Sequence, residues 1–146
     1  MYQRILIATD LTEEALASAL AQARAVANAQ ARLTLLHVIE PQTIPYSIDP
    51  AMTGSRYEER EAGQLQKVRA HLAAQCESLD FKTDDIAVAI GRPAAEIHHL
   101  AKELNCDLIA IASHGRHGWQ RLLGSTANAV LHGAPCDILV SRLPEA

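Results

Sequence analysis

Aromatic residues are scarce in this chain, with one Trp, one Phe and three Tyr among 146 residues. So few rings cannot supply a stacking platform for a run of bases. Positive charge is in short supply as well. Lys and Arg number 13 against 17 Asp and Glu, a net charge of −4, so the broad basic footprint of a nucleic-acid binder is missing. Long hydrophobic runs are absent. The purely apolar stretches, such as LIAIA at 108–112, are far too short to cross a bilayer. Arg4 and Asp10 interrupt the opening apolar stretch, so no signal peptide is expected. The three cysteines, Cys76, Cys106 and Cys136, are odd in number, far apart and without a CxxC pair. They fit free thiols in a reducing cytosol and fit neither a disulfide scaffold nor a structural zinc site.

Two familiar phosphate-binding signatures are also missing. No GxxxxGKS/T occurs, and none of the three lysines (Lys67, Lys82, Lys102) lies in the glycine-containing stretch at 113–126. No GxGxxG follows the first apolar run. A nicotinamide-dependent dehydrogenase and an ordinary P-loop NTPase are thereby disfavoured.

What is present is the composition of a packed domain, 49% hydrophobic and 21% charged, with a length that suits one domain over residues 1–146. Five short runs rich in Ile, Val and Leu punctuate it: RILIAT at 4–9, RLTLLHV at 32–38, IAVAI at 86–90, DLIAIAS at 107–113 and DILVS at 137–141. Apolar on consecutive positions, they predict strands covered on both faces, as in a parallel sheet. Helical patterns separate them. The first is expected from about Thr12 to Gln30, with Leu16, Leu20, Ala23 and Ala27 on one stripe. Alanine fills every odd position from 15 to 31, which imitates a strand, but the stretch is long for one strand and Ala is the strongest helix former. Asp10 and Glu13 have capping-box spacing. A second helix is expected from about Ser55 to Ser78, striped by Leu65, Val68, Leu72 and Cys76. A third starts at Pro93, apt for a first helical position, and presents Ile97, Leu100, Ala101 and Leu104. A short fourth runs from about Ser125 to His132 and stops at Gly133. Strict strand–helix alternation predicts a parallel α/β sheet with right-handed crossovers and helices on both faces. The proline-rich connection at 40–54 is expected to be a surface loop.

Ligands of open α/β sheets bind beyond the carboxyl ends of the strands, where the strand order reverses. Thr9 and Asp10 follow the first strand there. Asp10 can meet a ribose hydroxyl, an adenine edge or a metal bridged to phosphate. It can also simply cap the first helix, and a carboxylate has acceptor sites enough for both. After the fourth strand come Gly115, Gly118 and Gly124, then Ser125 and Thr126 at a helix start. Free amide groups at such a start favour phosphate, with Arg116 and Arg121 to supplement the field. The same glycines can equally serve only to shape a turn. Among seven histidines, His114 and His117 share this loop and His98 and His99 are adjacent on a helix. No third and fourth ligand follows at metal-binding spacing. His37 is expected to be a buried, hydrogen-bonded strand residue. Ser113 and His114 are neighbours without a GxSxG elbow or an orienting acid. Cys106 and Cys136 fall at the strand ends away from the ligand, as packing residues. Trp119 in the glycine loop fits a ligand cover, a packing residue or a partner contact equally.

With these residues in view, the chain resembles the universal stress proteins of the UspA type. The resemblance is carried in order by ILIATD at 5–10, LLHVIE at 35–40, GRPAAEI at 91–97, CDLIAIAS at 106–113 and GSTANAVL at 124–131 followed by APC at 134–136. It implies a three-layer, open parallel five-stranded sheet in order 3-2-1-4-5, with helices on both faces. It also implies a homodimer through the last strand, Asp137 to Ser141. Many members bind ATP through G-x2-G-x9-G-S/T, and others do not. Here Ala112 stands at the first glycine position, and eight residues rather than nine separate Gly115 from Gly124. Carried over position by position, the resemblance puts Asp10 and Val38 near adenosine and His114 and Gly115 near ribose or phosphate, with Thr9 a further cofactor-binding residue and Ala112 matching by location only. Gly124, Ser125 and Thr126 would then meet the phosphates.

The expectation is a cytoplasmic stress-response protein that binds or senses an adenine nucleotide, ATP with Mg2+, without fast turnover. Phosphoryl transfer needs positioned cations and a residue to orient the nucleophile, and no such set is assembled. A UspA-type dimeric interaction protein with no nucleotide is the first alternative, favoured by Ala112 and the shortened loop. A weak ATPase is the second.

Overall fold

The computed structural model of the protein describes residues 1–41, 55–113 and 126–142. Its elements alternate without exception: β1 (Tyr2–Ala8), α1 (Glu13–Val26), β2 (Ala27–Ile39), α2 (Ser55–Ser78), β3 (Asp85–Ile90), α3 (Pro93–Glu103), β4 (Leu108–Ser113), α4 (Thr126–Leu131) and β5 (Asp137–Arg142). The five strands form one sheet in order β3-β2-β1-β4-β5. Every pairing is parallel. The sheet order and the helices on both faces expected from the sequence are therefore present.

The period of two along each inner strand builds two cores. Ile5 and Ile7 of β1, Leu33 and Leu35 of β2, and Leu108 and Ala110 of β4 face one way. They pack with Leu16, Ala19 and Leu20 of α1 and with Leu72 and Cys76 of α2. Leu6 and Ala8, Leu36 and Val38, and Ile109 and Ile111 face the other way, against Ile97 and Ala101 of α3 and Val130 of α4. Consecutive apolar residues are thus needed on every central strand, because each alternate side chain enters a different core. Cys106 is buried and Cys136 half-buried, and both pack into the second core. Burial, with lesser contributions from Cys136 and Asp107, pushes the Cys106 thiol up to about 11.

The first helix corrects the sequence reading at both ends. It stops at Val26, and Ala27 to Gln30 begin β2. The last fully buried residue of α1 is Ala23, whereas Asn28, Ala29 and Gln30 are exposed. Helix propensity alone, with no further core surface to cover, does not extend α1. Ala27 instead pairs with Tyr2, and the ladder slips before Arg4 meets Arg32. At the other end the N-cap is Thr12, with no side-chain cap hydrogen bond. Asp10 therefore does not form a capping box with Glu13. α3 begins with Pro93 as expected, and Gly133, with φ +77, follows the end of α4. The connection at 42–54 lies outside the described residues.

At the amino ends of the strands, polar groups are consumed by structure. The Asp107 carboxylate accepts the Gln3 and Arg4 amides at 2.8 and 2.9 Å. Tyr2 donates its hydroxyl to Asp137 at 2.7 Å. The carboxyl ends are different.

Candidate functional site

The strand order reverses at β1, which has β2 on one side and β4 on the other. The chain leaves β1 there in a tight, heavily bonded turn. The Thr9 amide donates to the Leu36 carbonyl at 2.9 Å and extends the β1–β2 ladder by one bond. His37 reaches back with Nδ1 to the Thr9 carbonyl at 2.7 Å. A carbonyl only accepts, so Nδ1 carries the proton. Burial lowers the pKa of His37 and outweighs the opposing hydrogen bond to Thr9 and the charge of Asp10, with His71 adding to the lowering. His37 is thus the hydrogen-bonded strand histidine expected from the sequence, half-buried and neutral at pH 7.

Two more bonds close the turn. The Leu11 amide donates to Thr9 Oγ1 at 3.2 Å. Asp10 Oδ1 accepts both the Thr12 amide at 3.0 Å and the Thr12 hydroxyl at 2.7 Å. This is an Asx-turn, with the side chain standing in for a backbone acceptor. Asp10 therefore prepares the start of α1 from two residues ahead of the N-cap. Its other oxygen, Oδ2, is buried and has no hydrogen-bond partner among the described residues. A carboxylate oxygen withdrawn from water and left unsatisfied is costly, and such groups ask for a function. Leu11 carries φ +77, and Gln75 of α2 donates Nε2 to its carbonyl at 2.7 Å.

The other anticipated site residues fall as follows. Val38 is the last residue but one of β2, and its side chain is buried in the second core, leaving its backbone at the strand's carboxyl end. Ala112 lies on β4, one position beyond the Ala8–Ile111 pair, and so abreast of Thr9. Thr126 is the first residue of α4. His114, Gly115, Gly124 and Ser125 lie outside the described residues, as do Arg116, His117, Gly118, Trp119 and Arg121. The fold thus gathers Thr9, Asp10, Val38 and Ala112 at the carboxyl ends of three adjacent strands. No group of three or more His, Cys, Asp or Glu among the described residues could hold a metal ion. His98 donates Nε2 to the Val130 carbonyl at 2.6 Å and ties α3 to α4. His99 pairs with Glu103 on the exposed face of α3 at 3.6 Å. Leu11 and Gln75 were not anticipated. The signal for Gln75 was available: a lone polar residue three positions after Leu72, beside Cys76, on the core-facing stripe of α2.

An open parallel sheet, covered by helices on both faces and with its strand order reversing at β1, defines an α/β protein of the doubly wound class. The family description "Universal stress protein family" matches residues 1–142. The chain belongs to the universal stress protein family. It is 36% identical over 143 residues to universal stress protein A homolog 2 of Coxiella burnetii, covering 97% of this chain and 96% of that one. Among solved structures, a universal stress protein in complex with cAMP superposes with a TM-score of 0.64 at 18% identity, covering 98% of each chain. A family protein from Arabidopsis thaliana with AMP bound gives 0.59 at 12% identity, covering 97% of this chain and 92% of that one. At these identities the superpositions establish a shared fold.

Proposed function

We propose that the protein binds an adenine nucleotide at the carboxyl ends of β1, β2 and β4 and uses it for sensing rather than rapid turnover. The observation that carries this reading is Asp10 Oδ2, buried where the strand order reverses and without a hydrogen-bond partner among the described residues. A carboxylate there only accepts. It suits the hydroxyls of a ribose, the exocyclic amine of adenine or a metal-bound water. Two proteins of the same fold hold cAMP and AMP, which supports an adenosine-centred ligand. The orphaned oxygen also fits an outer-sphere contact to Mg2+, which would neutralise phosphate charge in bound ATP. Thr9 and Val38 present backbone beside adenosine, Ala112 lines the β4 side, and His114 and Gly115 flank the ribose. Gly124, Ser125 and Thr126 supply amide and hydroxyl donors to the phosphates. The protein acts in the cytoplasm, consistent with three free thiols, and works as a homodimer through β5.

Calorimetric titration of the purified chain with Mg-ATP, AMP and cAMP tests the reading. Saturable heat with at least one of the three is expected. No heat and no thermal shift at millimolar ligand removes it. The second reading, a dimeric interaction protein without nucleotide, has one specific observation in its favour. Ala112 places a Cβ where the family motif has glycine, and the loop to Gly124 is one residue short. Under that reading, Ala112→Gly with one inserted loop residue creates nucleotide binding that the natural chain lacks.

A further inference from the structure

Among the described residues, three other than glycine have positive φ: Leu11 at +77, Asp80 at +51 and Asn105 at +53. Asp and Asn visit this region readily because their short side chains bond locally. Leu11 has no such recourse, and a bulky aliphatic residue there is strained. Something must hold it. Its side chain packs partly buried against the first core, and its amide is taken by Thr9 Oγ1. Its carbonyl receives the Gln75 amide at 2.7 Å. Gln75 itself is an odd occupant of its position. It is only 9% exposed, beside Cys76 on the face of α2 that carries Leu72. Its Oε1 is buried with no partner among the described residues. An aliphatic side chain would fill the same place without stranding an acceptor. What the amide adds is a donor to the Leu11 carbonyl.

Leu11 is the immediate neighbour of Asp10, whose Oδ1 is committed to Thr12 on the far side of the strained residue. The backbone at Leu11 therefore sets the direction in which Oδ2 points. We propose that Gln75 is a positioning residue of the binding site: by holding the Leu11 carbonyl from α2, it keeps the turn after β1 in its left-handed form and aims the free oxygen of Asp10 at the ligand. The ligand half of this inference rests on the nucleotide reading above. The hold on the turn does not. The site would thus be assembled from β1 and β2 in front and from α2 behind, and a substitution on α2 would change affinity without touching ligand.

The test uses the full chain and the variants Gln75→Leu, Gln75→Met, Leu11→Gly and Leu11→Gly/Gln75→Leu. Methionine follows the glutamine path with a compliant chain, in case leucine disturbs folding. Amide hydrogen exchange at Leu11 and Thr12 is read without ligand, and Mg-ATP affinity is read by calorimetry well below each unfolding midpoint. Removing the Gln75 donor is expected to speed exchange at Leu11 and Thr12 by about tenfold or more. Mg-ATP should bind about fivefold to tenfold more weakly. Glycine tolerates the left-handed conformation unaided, so Gln75→Leu should cost less than about twofold in affinity in the Leu11→Gly background. A merely structural Gln75 would lower the melting temperature while leaving exchange at the turn and affinity unchanged, and that result overturns the proposal. Faster exchange with unaltered affinity overturns it as well. If the natural chain binds no nucleotide, the nucleotide reading fails on its own, and unchanged exchange at the turn would separately defeat the role given to Gln75.

Discussion

Asp10 separates two roles that one carboxylate performs. Oδ1 organises the start of α1, and Oδ2 has no hydrogen-bond partner among the described residues. Asp10→Asn keeps an acceptor for Thr12 and alters the second atom. It should shift stability by less than about 1 kcal/mol and weaken nucleotide binding by about tenfold. Asp10→Ala removes both atoms and should cost about 1 kcal/mol of stability besides. Thermal unfolding beside calorimetry distinguishes the two. His37 gives a pH signature. Its folded pKa lies below the ordinary 6.5, chiefly through burial. The unfolded chain therefore takes up a proton first as pH falls. The contribution of this group is complete above about 6.5, declines as pH falls through the interval down to the folded value, and changes no further below it. Unfolding of the natural chain and of His37→Asn, compared from pH 7.5 to 5, should show the natural chain losing the advantage His37 confers. A stability difference that stays flat over that range contradicts this assignment.

The elements show what was legible in the sequence and what was not. β1, β4 and β5 were marked by runs of consecutive apolar residues (ILIA, LIAIA and ILV), and in β1 and β4 successive side chains of the run enter opposite cores. The end of α1 was not, because the helix propensity of alanine argues for continuing the helix, whereas Ala27 is drawn into the sheet by its pairing with Tyr2. The cap was misplaced for a related reason. Asp10–Glu13 and Thr12 both offer start signals, and the bonds from Thr12 to Asp10 decide between them. The place of Asp10, after β1 where the strand order reverses, was visible in the sequence. Its helper Gln75 lies 64 positions away from Leu11 along the chain, and only the packing of α2 brings them together. α4 illustrates how weakly a short element is held. Six residues long, it cannot stand by itself, and Val130 with the His98 bond anchors it. His98→Leu keeps bulk on α3 and deletes the donor. It should cost about 1 kcal/mol, with exchange in α4 accelerated more than in β1. Equal acceleration everywhere would mean that α4 opens only with the whole domain.

At the scale of the molecule, β3 and β5 form the margins of the sheet. Among the described residues each has one unpaired side, and unpaired edges invite partners unless they are blunted by charge, proline or cover. On β5, Val140 is 41% exposed, and Ile138 and Leu139 are only partly buried. Charge is confined to its first and last residues, Asp137 and Arg142. An apolar centre between charged ends is better covered than left in water, which supports the proposed homodimer through this edge. Val140→Lys places a charge in the middle of that surface and leaves both cores alone, since Val140 belongs to neither. The variant should sediment as a monomer at concentrations where the natural chain is a dimer, with a melting temperature that no longer rises with protein concentration. A natural chain that sediments as a monomer over the same range would defeat the dimer outright. A Val140→Lys variant that remains dimeric would move the interface to another surface.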